Sequence, residues 1–250
     1  MKDGIIIQAR TGSTRLQNKI LLPFYKDKRI IDILIDNITT AYPGLCVILA
    51  TTNCPQDDVL TGITHLKGIN CFRGDEDNVL DRFIHAAGYF QIDRFIRVCS
   101  DNPFLRVDTF AMLFDTYTTS PADYVAYGFA DGQPTIQTHL GLFSELTTTK
   151  SLQRIAVQTK KKLYLEHVTN YLYTHPDKFS IRLLSLPDCL EGRFDLRFTL
   201  DTPEDFTLLQ QLYTTFREDT DGSIQALIQL VESRPDYHER MLNNIVQNKK

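Results

Sequence analysis

The sequence predicts an α/β fold: a three-layer α/β/α sandwich around a mostly parallel central sheet, in a single domain over residues 1–250. Short apolar runs alternate with helical stretches almost from end to end, the pattern of repeated βα units. Several of these runs are continuous Ile/Val/Leu segments rather than alternating ones, which suits strands covered on both faces. A chain of 250 residues buries roughly 70–75% of its unfolded surface, so it needs neither disulfides nor a structural metal to build a core.

The candidate strands, in order, are residues 5–8, 47–50, 69–72, 95–99, 124–127, 140–143, 180–184 and 197–200. Between them, Ile30, Ile31, Leu34, Ile35 and Ile38 share one helical face, as do Val79, Leu80, Phe83, Ile84 and Ala87. Residues 129–193 are less regular, with a polar stretch at 132–139 and a basic helix at 160–162. This segment reads as an insertion that closes over a substrate or builds a dimer contact. The tail from residue 222 to 250 reads as two helices broken at Pro235, with a basic, frayed end.

Composition narrows the function classes. The hydrophobic fraction of 42% and charged fraction of 23% are ordinary for a globular protein. A net charge of −4 argues against a duplex nucleic-acid binder, while leaving room for a local basic pocket for a small phosphate ligand. The first apolar run gives way at once to Gln8 and Arg10, too early for a signal peptide. No apolar stretch approaches the roughly 20 residues of a membrane span. The cysteines (Cys46, Cys54, Cys71, Cys99 and Cys189) are scattered and form no C-x-x-C, so neither a disulfide framework nor a zinc ribbon is expected. Cys46, Cys71 and Cys99 lie in apolar runs and read as small core residues. The expectation is a cytoplasmic protein with no membrane and no nucleic-acid partner.

The first βα turn carries the strongest chemical signal: Ala9-Arg10-Thr11-Gly12-Ser13-Thr14-Arg15-Leu16-Gln17-Asn18-Lys19. Open α/β sheets bind ligands at the carboxyl ends of their strands. Gly12 permits close backbone approach, Ser13 and Thr14 add hydroxyls, and Arg10, Arg15 and Lys19 add three cations, a combination suited to several phosphates. Neither the P-loop nor the G-x-G-x-x-G pattern is present. The alternative, a solvated basic loop, is the weaker reading, because the cations cluster where this fold places its site.

Residues 8–19 resemble the signature of sugar-activating cytidylyltransferases: the KDO and sialic-acid CMP-sugar synthetases, and more closely the spore-coat-polysaccharide type. Three further segments extend the resemblance. Ala50-Thr51-Thr52-Asn53 looks like the stretch lining base and ribose. Residues 72–82, Phe-Arg-Gly-Asp-Glu-Asp-Asn-Val-Leu-Asp-Arg, are similar to a stretch typical of the spore-coat type, with Arg73, Asp81 and Arg82 as its site candidates. Glu166-His167-Val168-Thr169 matches a region that lines the acceptor pocket in relatives. The resemblance runs from residue 5 to about 206 and implies a fold of the nucleotide-diphospho-sugar transferase type. It also implies that Ala9, Arg10, Gly12, Ser13, Arg15 and Lys19 hold the triphosphate of CTP, that Thr51, Thr52 and Asn53 read the cytidine, and that Glu166 and His167 meet the acceptor. The chain departs from the spore-coat pattern at residues 135–143, Thr-Ile-Gln-Thr-His-Leu-Gly-Leu-Phe, where an acidic segment is usual. An acceptor would be recognised there, so the resemblance does not fix the sugar.

Two carboxylates matter most. Asp101 follows the strand at 95–99 and precedes Asn102-Pro103; Asp201 follows the run at 197–200 and precedes Thr202-Pro203. Both belong to the sheet edge that carries the first loop. As plain structure, Asp201 or Thr202 would cap a helix opening at Pro203, and Asp101 would open a turn. With the resemblance, both are expected Mg²⁺ ligands beside a triphosphate. In the triplet Asp75-Glu76-Asp77, the favoured role is Asp77 capping the helix that begins near Val79. No His/Cys cluster has zinc spacing, and His139 and His167 are weighed as packed or paired residues.

Together these expectations describe a homodimeric nucleotidyltransferase. It would use Mg²⁺ to move CMP from CTP to a small sugar acceptor, a sugar acid or related sugar, for surface polysaccharide or glycan synthesis, with release of pyrophosphate. Arg10, Arg15, Lys19 and Asp101 would be its catalytic residues. Two alternatives stay open: a glycosyltransferase on the same fold, for which a triphosphate grip would be superfluous, and a catalytically silent nucleotide-binding subunit, which the departure at 137–141 permits.

Overall fold

A computed structural model describes residues 1–248. Its central sheet has seven strands, in the order β5 (Asn70–Gly74), β4 (Cys46–Thr52), β1 (Asp3–Gln8), β6 (Arg94–Cys99), β8 (Glu145–Thr148), β7 (Tyr124–Gly128) and β9 (Ile181–Ser185). The pairs β4–β5, β1–β4, β1–β6 and β7–β9 are parallel; β8 alone runs antiparallel, between β6 and β7. A two-stranded hairpin, β2 (Pro23–Tyr25) and β3 (Lys28–Arg29), stands apart. It turns at Lys26 and Asp27, whose φ values of 46° and 62° are those of a two-residue hairpin loop.

Alternation along the strands builds two cores. Ile5 and Ile7 of β1 face one side, with Leu49, Ile96 and Val98. They pack on α1 (Ile30–Ala41), α4 (Phe110–Thr119), α8 (Pro203–Asp219), α9 (Ile224–Glu232) and α10 (Pro235–Gln247). Ile6 faces the other side, with Ile48 and Phe95, against α3 (Val79–Tyr89), α5 (Thr149–Gln158) and α7 (Asn170–Thr174). The short α2 (Asp58–Lys67) and α6 (Lys162–Glu166) complete the helices. This is the α/β/α sandwich that the sequence predicts.

Residues 129–193 supply β8, β9 and α5–α7. Four local expectations are corrected. First, residues 140–143 and 197–200 are not strands. They are extended segments that bond each other and the loop after β6: the Phe198 amide donates to the His139 carbonyl at 2.9 Å, and the Leu200 amide to the Asp101 carbonyl at 2.9 Å. Their apolar residues are buried (Leu140, Leu142, Phe198 and Leu200), so the apolar pattern reported burial rather than ladder pairing. Gly141 is required at this crossing, because its φ is +62° and a Cβ there would lie 2.9 Å from the Phe198 backbone. Second, Lys160 and Lys161 fall in the break between α5 and α6 rather than in a helix. Third, α3 is capped by Asn78, which accepts from the Asp81 amide at 3.1 Å; Asp75 closes the preceding turn by accepting from the Asp77 and Asn78 amides at 2.8 and 2.6 Å, so Asp77 is not the cap. Fourth, the five cysteines are all half-buried, which places Cys46, Cys71 and Cys99 at the margins of the core.

The tail forms α9 and α10, with Pro235 as the first residue of α10; the basic end at Lys249 and Lys250 lies outside the described residues. Among the described residues, no helix is long and apolar enough to cross a membrane.

Candidate active site

β1 has β4 on one side and β6 on the other, so the chain passes to opposite flanks from this strand. Such a switch point opens a crevice at the carboxyl ends of the strands, and the loop after β1 lies there. The Ala9 amide donates to the Ala50 carbonyl at 3.3 Å, keeping the loop in line with β4 as it leaves the sheet. Thr11 is its pivot. Its carbonyl accepts from the Ser13 and Asn18 amides at 2.8 and 3.2 Å, and its amide and hydroxyl donate to Asp57. A Cβ on Gly12 would stand 2.8 Å from the terminal nitrogen of the Gln56 side chain, which would have to swing aside.

Lys19 draws the distant carboxylates together. Its ammonium lies 2.9 Å from Asp101 and 3.3 Å from Asp201, and donates to the Leu200 carbonyl at 2.6 Å. Burial lowers the Lys19 pKa, but the two carboxylates outweigh burial and hold it above its ordinary value. Arg15, exposed at the rim, pairs with Asp201 at 2.9 Å and donates to Asn248 at 2.9 Å. Arg10 points elsewhere, to Glu76 at 3.4 Å. Glu76 also accepts from the Cys54 thiol at 3.1 Å, so it links the first loop to the turn after β4.

Asp201 is fixed from behind by Arg197, whose side chain is 1% exposed. The Arg197 guanidinium donates to both oxygens of Asp205 at 2.7 and 2.6 Å, to Asp201 at 3.1 Å, and to Nδ1 of His139. A guanidinium only donates, so His139 Nδ1 is an acceptor and its ring proton sits on Nε2. Asp205 also closes a capping box with Thr202 at the start of α8 and accepts from Asn244 of α10 at 2.9 Å. The helix-start role weighed for this segment therefore belongs to Thr202, and Asp201 is left to face Lys19 and Arg15.

The residues proposed for the nucleoside side occupy different depths. Thr51 and Thr52 are buried, and Asn53 is exposed at the turn. Arg73 pins that turn, donating to the carbonyls of Thr52 and Cys54 at 2.8 and 2.9 Å and to Asp58 at 2.5 Å. Arg82 is buried behind it and donates to the Asp75 carbonyl at 2.8 Å. Burial, and then the Arg10 charge, push its pKa down to about 10. Asp81 pairs with His85 at 2.9 Å on the outer face of α3.

Beside the Lys19 cluster lies a cavity of about 660 Å³, lined by Arg15, Asp101 and Asp201 together with Phe143, His167 and Tyr173. Glu166 is exposed at the end of α6. Behind Arg97 and Thr169, which line the cavity, lies a residue that sequence reasoning missed. Glu145, buried at the start of β8, accepts from Arg97 and Tyr124 at 2.5 Å each and from Thr169 at 2.7 Å. Arg97 also donates to Gln8 at 3.0 Å. Burial, with Glu145 beside it, holds the Tyr124 hydroxyl well above its ordinary pKa, so it stays a donor. An acid thus reaches this region from β8, two residues past the segment where the sequence lacks one.

Among the described residues, no group of three or more His, Cys, Asp or Glu side chains could hold a metal. The pair Asp101 and Asp201 still fits a hard divalent ion. Both offer carboxylate oxygens, both already converge on one cation, and Mg²⁺ is commonly held by one or two carboxylates with phosphate and water completing its shell.

Residues 4–245 match the family described as cytidylyltransferase. The chain is 30% identical over 236 residues to the spore coat polysaccharide biosynthesis protein SpsF of Bacillus subtilis, covering 92% of this chain and 94% of that protein. It is 34% identical over 230 residues to a protein of Methanocaldococcus jannaschii, covering 92% and 90%. Among solved structures, a cytidylyltransferase from Leptospira borgpetersenii aligns with a TM-score of 0.81 and 26% identity over 95% of this chain and 96% of that one. A CMP:2-keto-3-deoxy-manno-octonic acid synthetase complexed with CTP shares the fold, with a TM-score of 0.59 and 17% identity over 85% and 98%.

Proposed function

Since the chain belongs to the cytidylyltransferase family, resembles its spore-coat type and is thus a nucleotidyltransferase, we propose that it transfers CMP from CTP to a sugar acid or related sugar, releasing pyrophosphate, in the synthesis of surface polysaccharide. The observation that carries this reading is the Lys19 ammonium held between Asp101 and Asp201 where the first loop meets the cavity.

The acceptor oxygen attacks the α-phosphorus of CTP in line, so catalysis is positioning and charge stabilisation. The backbone at Ala9, Gly12 and Ser13 approaches the phosphates. Arg10, Arg15 and Lys19 offset charge on the departing pyrophosphate. When bound at Asp101 and Asp201, Mg²⁺ supplies a divalent charge against the triphosphate. Asn53 meets the cytidine, backed by Thr51 and Thr52 and by the turn that Arg73 pins; Arg82 and Asp81 shape that side from α3. The acceptor occupies the 660 Å³ cavity, with His167 on its wall; Glu166, the preceding residue, is exposed at the end of α6 and meets the acceptor from there.

A pyrophosphate-release screen of CTP with Mg²⁺ against a panel of sugar acids and neutral sugars tests the reading; release with at least one acceptor supports it, and none from any nucleoside triphosphate with any acceptor rejects it. Arg15→Ala should weaken CTP binding by about 1.5–3 kcal/mol, the range for a hydrogen bond to a charged group. Arg15 is exposed, so the variant should fold normally. Titration calorimetry measures the change, and an unaltered affinity would remove Arg15 from the phosphate grip.

A further inference from the structure

Asp57 sits fully buried beneath the first loop, at the N-cap position of α2. A carboxylate there ordinarily accepts from the amides of the helix's first turn, but Asp57 makes no such bond. It turns to the loop instead. Oδ1 accepts from the Thr11 amide at 2.7 Å and the Thr11 hydroxyl at 2.6 Å, and Oδ2 accepts from the Thr52 hydroxyl at 2.5 Å. Burial raises its pKa, yet these donors outweigh burial and hold the carboxyl below its ordinary value, so it is an anion at neutral pH. The Thr11 carbonyl is committed too, to the Ser13 and Asn18 amides. Every polar group of Thr11 is therefore engaged immediately before Gly12. An anion this close to a phosphate site repels the ligand unless donors absorb its charge. Here three do, two of them from the loop itself.

We propose that Asp57 is a positioning residue for triphosphate recognition: by anchoring Thr11 through both its amide and its hydroxyl, it sets the path of Gly12 and Ser13 that meets the β- and γ-phosphates. The proposal rests on the reading that this loop holds the triphosphate of CTP. Asp57 touches no phosphate itself and acts through Thr11. Its removal should therefore affect ligands in proportion to the phosphates they carry, which a general loss of structure would not do.

The test uses the full-length protein with Mg²⁺, comparing CTP with CMP as ligands, in wild type, Asp57→Asn, Thr11→Val and the double variant. Affinities come from calorimetry for CTP and ligand-detected NMR for CMP. Asp57→Asn should weaken CTP by about 10–100-fold, as for loss of a charge-assisted hydrogen bond, and weaken CMP far less. Thr11→Val, which keeps the carboxylate and its bond to Thr52, should weaken CTP in the same sense. The double variant should be no worse than the weaker-binding single, because the two residues act as one unit. If Asp57→Asn does not fold, Thr11→Val against CTP and CMP decides alone. Undiminished CTP affinity in a folded variant, equal losses for CTP and CMP, or additive losses would each overturn the proposal. A wild type that binds no CTP would overturn the loop reading first, and this proposal with it.

Discussion

Asp101→Asn and Asp201→Asn should each lower turnover by about 100-fold or more, the scale of losing one electrostatic stabiliser, with the fold intact. Far apart in sequence, the two carboxylates meet at one ammonium, 2.9 and 3.3 Å from Lys19. Beside a triphosphate they would repel the ligand unless cations lie between, and that is the place proposed for Lys19 and Mg²⁺. Asparagine keeps an oxygen for Lys19 to donate to, and the Leu200 bond goes to the Asp101 backbone, which the substitution leaves alone. Packing should survive while the charge proposed to hold the metal is lost. The check is kcat at saturating CTP and Mg²⁺ alongside the melting temperature. Full activity in either variant would return these residues to plain turn and loop roles.

Asp205→Ala should destabilise the protein by about 3–5 kcal/mol, the cost of breaking a buried ion pair by removing one partner. Arg197 would be left 1% exposed with a single carboxylate neighbour, Asp201 at 3.1 Å, and α8 would lose its capping box. The pH dependence follows from the same pair. Burial raises the Asp205 pKa, but Arg197 and the Asp201 amide outweigh it, so the carboxyl lies below its ordinary value of 3.8. Such a group contributes stability above its unfolded pKa and loses it as pH falls through the lower folded one. Wild type should therefore lose stability below about pH 4, and Asp205→Ala should lose less over the same range. Urea unfolding at neutral and acid pH measures both, and parallel pH slopes would contradict the linkage.

What the sequence revealed, and what it hid, follows from how far apart the partners lie. The strands β1, β4, β5, β6, β7 and β9 were legible because their apolar runs are local and bounded by turns. β8 was not: three of the four residues of Glu-Leu-Thr-Thr are polar, and Glu145 is buried against an arginine 48 positions away. The runs at 140–143 and 197–200 mislead in the opposite sense, being apolar and buried without ladder pairing. The cations of the first loop could be read because they cluster within ten residues, and Asp101 and Asp201 because strand ends share an edge. Asp57, Glu145 and Arg197 could not be. Each is tied to a residue 46, 48 or 58 positions distant, contacts that the sequence does not display, and as single residues they look like surface charges.

Thermal shifts of the wild-type protein with CTP, UTP, ATP and GTP, each with Mg²⁺, ask whether this crevice is built for a cytidine triphosphate. On the proposed reading, residues 51–53 line the base, and a purine needs more room there than a pyrimidine. CTP should therefore raise the melting temperature more than ATP or GTP, and the shift should vanish when Lys19 is replaced by Ala. Equal shifts from all four nucleotides, or none from CTP, would contradict a cytidylyl-transfer site here.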